Sequence, residues 1–358
     1  MNKLWKLLIA CILLGAMPID AAQTDNVVVG VNIYDLGLTQ ASQDGWIQRL
    51  AENGVKTIRT SLSDKTVYFI TQAYRHGIGS IVIIYPTWGS KAKHKLRWSD
   101  APLTAADPQG LAAWFKPLLN QLEAAEVRLT ALEFGNEINT SGYNSDIPMP
   151  GTGRVLGLAD LNNPNDPEGP AIANGYRRYL RVLEALKEVR DHSKLNQTTP
   201  ILSGASGDWG LPSPQSWSKV AGVSVPDSVE FLRQNGLDKL VDGYAVHVYP
   251  SGDLNRSVSQ RVDSLEKYVF GMCKKDTKPC WLTEWGFSNS SQTCPIDDST
   301  RLKVIEVQRS AFQQFAQQGR LAAIIYYTWT GPATKLDPMA IFRCGALTDA
   351  GKAALSPM

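Results

Sequence analysis

The sequence predicts an α/β fold, a single-domain (β/α)8 TIM barrel. Short apolar, β-branched runs recur eight times along the 358 residues, amphipathic helical stretches separate them, and polar residues collect just past their ends. Strands alternating with helical patterns mark a parallel sheet with crossover helices. Eight strands close such a sheet into a barrel whose carboxyl-end loops carry the chemistry.

A leader precedes the barrel. Lys3 and Lys6 form a short basic region, and Leu7 to Met17 (LLIACILLGAM) is apolar but too short to span a bilayer. Pro18 breaks that run before Ala21 and Ala22. We expect residues 1–22 to be a signal peptide and residues 23–358 the barrel, exported to the periplasm or secreted. Leu8-Ile9-Ala10-Cys11 resembles a lipoprotein cleavage box, but the apolar run continues past Cys11. No other run reads as a membrane span.

The strands are expected at Val27–Ile33, Thr57–Ser61, Ser80–Tyr85, Leu129–Phe134, Ile201–Ala205, Gly243–Val248, Cys280–Thr283 and Ala322–Thr328. Between the second and third, Ser63 or Asp64 starts a helix that turns Val67, Ile70, Ala73 and Tyr74 inward and stops at Gly77. Asp107 caps the next, with Pro108 at its first position and Leu111, Trp114, Phe115, Leu118, Leu119 and Leu122 on one face. The connection Asn139–Gly169, rich in Gly, Pro, Asn and Asp, is long for a structureless loop and is expected to fold over the site as a rim or lid. Arg177 to Lys194 is amphipathic, and Val304, Val307, Ala311 and Phe315 mark the helix face before the eighth strand.

Composition narrows the function. Thirty-six basic against 34 acidic residues is a near-neutral balance, which argues against a nucleic-acid partner. Ten Trp and twelve Tyr suit stacking on sugar rings, although aromatics also fill cores. The four histidines show no metal-hydrolase spacing, and no phosphate-binding or dinucleotide motif occurs, so neither metal nor cofactor is expected. Once Cys11 is removed, Cys273, Cys280, Cys294 and Cys344 are an even set in an exported chain, which reads as disulfides. Three pairings are possible, and position favours Cys273–Cys280 with Cys294–Cys344; zinc binding is the alternative. The basic segment Ser90–Arg97 reads as a solvated loop or as a feature favouring an anionic polysaccharide.

Two glutamates carry the chemistry. Glu137 closes Leu132-Glu133-Phe134-Gly135-Asn136-Glu137, and Glu284 closes Cys280-Trp281-Leu282-Thr283-Glu284. A pair of carboxylates at strand ends can act as acid, base and nucleophile on a glycosidic bond. Arg59, His247, Tyr249, Trp329, Trp88 and Trp285 also fall at or just past strand ends.

These motifs resemble the retaining glycoside hydrolases of clan A, the cellulase-like, mannanase-like and xylosidase-like barrels. Asn136-Glu137 is similar to that group's Asn-Glu pair after the fourth strand, and Thr283-Glu284-Trp285-Gly286 to its seventh-strand segment. The resemblance implies that Glu137 is the general acid/base and Glu284 the nucleophile. It implies that Asn136 holds the substrate's 2-hydroxyl, that Tyr249 of His247-x-Tyr249 donates to the nucleophile, and that Arg59 lies beside it. Trp329 is implied as a sugar platform, and Trp88 and Trp285 are assigned to the substrate site with it. The expected protein is a monomeric, exported retaining glycosidase acting on a β-linked glycan. The rivals are a non-catalytic carbohydrate-binding barrel and a transglycosylase tied to polysaccharide assembly or export.

Overall fold

The structure, a computed structural model, describes residues 27–34, 39–89, 101–148, 153–204, 206–207, 222–273, 278–330 and 337–358. The expected signal peptide, Cys11 and the basic segment Ser90–Arg97 lie outside the described residues. The barrel strands are β1 (Val28–Asn32), β2 (Thr57–Ser61), β3 (Gly79–Ile84), β4 (Ala131–Phe134), β5 (Ile201–Leu202), β6 (Tyr244–Val248), β7 (Cys280–Trp285) and β8 (Leu321–Tyr326). All pair in parallel in the order β5-β4-β3-β2-β1-β8-β7-β6. Parallel bridges Leu202↔Gly243 and Ser206↔Val246 join the two ends of that order, so the sheet closes. No helix among the described residues is long and apolar enough to cross a membrane.

Helices form where sequence periodicity and caps agree. Helix Pro108–Ala124 is capped by the Asp107 carboxylate, which accepts from Gln109 N at 3.1 Å, and it buries Leu111, Phe115, Leu118, Leu119 and Leu122. Helix Gly169–Asp191 starts two turns earlier than its apolar stripe suggests, with Pro170 among its first residues, where a missing N–H costs nothing. The connection after β4 is not structureless. It holds a short strand, Val155–Leu156, paired with Gly222–Val223, and a helix, Leu158–Asn162. Arg154 ties it together through Asp160, Asp166 and Glu168 at 3.4, 2.5 and 3.1 Å.

The core has two compartments. One lies between sheet and helices. The other is a small apolar plug inside the barrel, made of Ile81, Ala131, Leu202, Ala245, Trp281, Ala323 and Ile325. Because strand side chains alternate, the residues two further along point into the same lumen one layer higher. Those residues are Glu133 after Ala131, His247 after Ala245 and Thr283 after Trp281, so a polar layer sits directly on the apolar plug.

Two disulfides lie outside the barrel lumen. Cys273 pairs with Cys280 across a Cα separation of 5.5 Å, and Cys294 with Cys344 across 6.0 Å. The second closes 50 residues, including β8, so it restricts the unfolded chain over a long loop. Replacing Cys294 and Cys344 together by Ser should lower unfolding free energy by about 2–4 kcal/mol, read as a shifted urea midpoint with the fold retained.

Candidate active site

The site is built on the polar layer at the carboxyl ends of the strands. Arg59 is its centre. It is 1 % exposed and pairs in register with Asn32 of β1, and its side chain reaches across the lumen to residues on or just past β1, β4 and β7. Its Nε and Nη2 donate to the two carboxylate oxygens of Glu133, each at 2.6 Å, a bidentate fork on a wholly buried carboxylate. Nη1 donates to Glu284 at 2.6 Å and to the Asn32 side-chain oxygen at 2.8 Å, and Nη2 also reaches Asn136 at 2.8 Å. Asn32 in turn donates to the backbone oxygen of Thr283 at 2.9 Å, which fixes its amide.

Glu284 reaches this layer through an irregularity in β7. Thr283 and Glu284 are consecutive, yet Thr283 donates to Glu133 at 3.3 Å while Glu284 accepts from Arg59. In a regular strand the two side chains would point to opposite faces. The register of β7 shifts against both neighbours here: Val246↔Leu282 is followed by His247↔Glu284, and Ile324↔Leu282 by Tyr326↔Trp285. A bulge of this kind re-aims a side chain toward a site.

Glu137 arrives by a different device. Beyond β4 the chain turns through Gly135 at φ +99° and Glu137 at φ +41°, a region that non-glycine residues seldom occupy. A Cβ on Gly135 would come within 2.8 Å of Ile138. The turn is held by Thr140, whose N–H and hydroxyl both donate to Glu137 O at 2.9 and 3.1 Å. The Glu137 carboxylate then meets His247 Nδ1 at 2.9 Å. His247 Nδ1 lies 3.6 Å from Glu284, and one oxygen of each glutamate and this imidazole lie within 4.8 Å of one another.

The electrostatics differ for each member. Burial alone would raise the Glu284 carboxyl, but the charges of His247 and Arg59 and the hydrogen bonds from Tyr249 and Arg59 hold it below the usual carboxylate range. The Tyr249 bond to Glu284 is 2.7 Å. Burial alone would push His247 down, but the charge of Glu284 and the hydrogen bond and charge of Glu137 raise it above 6.5. Burial and the charge of Glu284 raise the hydroxyls of Tyr249 and Tyr327, and burial with the charge of Glu137 raises that of Tyr143.

Of the residues singled out from the sequence, Arg59, Asn136, Glu137, His247, Tyr249 and Glu284 converge on this one site. Three tryptophans depart from expectation. Trp285 is fully buried on the far side of β7, edge-on to Phe312 and Tyr326, because the bulge that turns Glu284 inward leaves its neighbour in the sheet–helix core. Trp329 is 1 % exposed and stacked on Phe342 at 4.8 Å, so the broad open platform expected of it is absent here. Trp88 is half-buried, with its ring against those of Tyr85 and Trp114. The aromatic wall consists instead of Tyr327 with Tyr34 stacked on it at 5.6 Å and Tyr249 edge-on at 6.3 Å. The sequence reading also missed Glu133 and Asn32. Their signal was available: each is a polar residue inside a strand that is otherwise apolar.

The two shifts have opposite consequences for stability. Glu284, held low, contributes stability above the ordinary carboxylate pKa, and that contribution is lost as pH falls through its folded value. His247, held high, contributes below 6.5 and loses that contribution as pH rises through its folded value. With only four histidines in the sequence, NMR titration can isolate His247. It should titrate above 6.5 in the native protein and fall toward or below that value in Glu284→Gln. An unchanged titration would refute the coupling.

Residues 207–354 match the glycosyl hydrolase catalytic core, a stretch that includes His247, Tyr249 and Glu284 but not Glu137. No curated protein matches the chain. Among solved structures, a fungal β-1,4-galactanase superposes with a TM-score of 0.53 at 14 % identity, covering 91 % of this chain and 93 % of its own. The virulence factor SghA of Agrobacterium tumefaciens gives 0.54 at 11 % over 92 % and 96 %. A broad-specificity GH5-4 endoglucanase from an uncultured bacterium gives 0.50 at 15 % over 92 % and 93 %. The chain thus shares the (β/α)8 barrel fold of these structures and, over residues 207–354, resembles the glycosyl hydrolase catalytic core.

Proposed function

We propose that the protein is an exported glycoside hydrolase that cleaves a β-linked glycan with retention of configuration. One observation carries this reading: carboxylate oxygens of Glu137 and Glu284 lie within 4.8 Å of each other. Retaining enzymes hold their carboxyl groups roughly 5–5.5 Å apart, whereas inverting ones leave roughly 6.5–9.5 Å for a water.

The surroundings favour distinct roles for the two groups. Glu284, kept ionised by Arg59 and Tyr249, is suited to attack the anomeric carbon. Glu137 sits toward the opening with its side chain 16 % exposed, within reach of a leaving-group oxygen. In this role Glu137 delivers a proton to that oxygen while His247 Nδ1, 2.9 Å away, holds its carboxyl group in position. After departure of the leaving group, Glu137 takes a proton from the attacking water, and the covalent bond to Glu284 breaks. Asn136, held by Arg59, is placed to bond the 2-hydroxyl of the sugar. The tyrosine wall of Tyr34, Tyr249 and Tyr327 offers ring faces to the glycan. The signal-like leader and the two disulfides support export.

A panel of defined β-linked oligosaccharides and aryl β-glycosides tests the reading. The first-formed anomer seen by NMR should be β, and a first-formed α product would exclude retention. Glu284→Ala should abolish turnover with sugar affinity kept. Glu137→Gln should lower kcat roughly 10²–10⁴-fold, the usual contribution of a positioned acid/base. Near-wild-type activity in Glu284→Ala would sink the assignment. Product analysis at high acceptor concentration separates hydrolysis from transfer to a sugar hydroxyl.

A further inference from the structure

Behind the strand that carries His247, a cavity of about 100 Å³ lies between helix Val258–Tyr268 and helix Ser299–Gln317. Its walls include Arg256, Arg261, Ser264 and Gln308, and the backbone segment that follows β6 from Val248 closes one side. Arg261 is 3 % exposed. Its Nη1 donates to Ser251 O at 3.1 Å and to Gln308 at 3.3 Å, and its Nη2 to Asp253 O at 2.5 Å. Its Nε is buried without a partner. Arg256 donates through Nη2 to Gln260 O at 3.3 Å and to Ser264 at 2.6 Å. Among the described residues, neither guanidinium forms an ion pair with a carboxylate.

That arrangement is unbalanced. A buried charge is ordinarily paired, because neutral acceptors offset only part of its lost hydration. Here the charge of Arg256 opposes that of Arg261, with only the carboxylate of Asp253 acting the other way, and the two arginines flank the N-terminus of helix Val258–Tyr268, whose first turn carries no acidic residue. Three sources of positive potential, the two guanidinium groups and the helix N-terminus, converge on one small cavity.

We propose that this cavity binds a small oxyanion between Arg256 and Arg261. An oxyanion matches the planar donor fork of a guanidinium, and a cavity of this size admits an ion of the dimensions of phosphate or sulfate. The bound ion adds counter-charge to both guanidinium groups and ties the segment after β6, which leads from Tyr249, to the helix behind it.

The test needs no glycan and is independent of the glycosidase reading. Thermal unfolding of the full-length protein is followed while inorganic phosphate is titrated at constant ionic strength, with chloride as a parallel arm. Phosphate should raise the unfolding temperature along a saturating curve, and chloride should act more weakly. Arg256→Gln, at a half-buried position, should weaken the phosphate midpoint roughly tenfold, the loss of one charge-assisted hydrogen bond. Phosphate-31 NMR line broadening gives a second readout for Arg261→Gln if that variant unfolds early. A linear response equal for both anions, or a saturating curve unchanged in Arg256→Gln, would overturn the proposal.

Discussion

The site depends on one buried cation. Arg59 occupies the lumen above the apolar plug and holds Glu133 with one edge of its guanidinium and Glu284 with the other. Two carboxylates and one guanidinium so deep in the barrel are tolerable only because nearly every donor is spent on a fixed acceptor. The planar fork also acts as a template. With Glu133 fixing its plane, the remaining N–H groups can point only toward Asn32, Asn136 and Glu284. Lysine in the same place would offer a point charge without that directionality.

From this centre the two glutamates become unequal. Glu284 is drawn into the barrel by a strand bulge and surrounded by Arg59, His247 and Tyr249, all of which favour its charged form. Glu137 is delivered by a left-handed turn to the rim, where its partner is an imidazole. The same two side-chain types in one small volume thus acquire different electrostatic surroundings, which is how paired carboxylates come to perform different steps. The proposed hydrolysis depends on that inequality more than on any single contact.

Much of this was legible in the sequence, and the reasons for the gaps are physical. Strand runs such as Ser80–Tyr85 announced themselves because a parallel strand covered on both faces must be apolar throughout. Strand β5 is short, ending at Leu202, so Ser203 and Gly204 of the expected run fall beyond it, while Ala205 lies outside the described residues. Convergence of Arg59, Asn136, Glu137, His247, Tyr249 and Glu284 followed from placing each at a strand's carboxyl end. What periodicity does not reveal is the bulge at Thr283–Glu284, and with it the fate of Trp285. A strand alternates only while it is regular, and that irregularity sends the tryptophan to the core. Trp329 misled for a related reason: the nearby Phe342 covers a ring that sequence position alone leaves open. Glu133 and Asn32 are polar residues inside otherwise apolar strands, and a buried polar side chain there finds its partners in the lumen.

The central claim is that Glu284 forms the covalent bond to the sugar. On whichever glycoside the enzyme turns over, the matching 2-deoxy-2-fluoro glycoside with a good leaving group should trap that intermediate. Peptide mass spectrometry should then find one sugar on the peptide bearing Glu284, and none in Glu284→Ala. A sugar attached at Glu137, or rapid cleavage with no trapped species, would contradict the account.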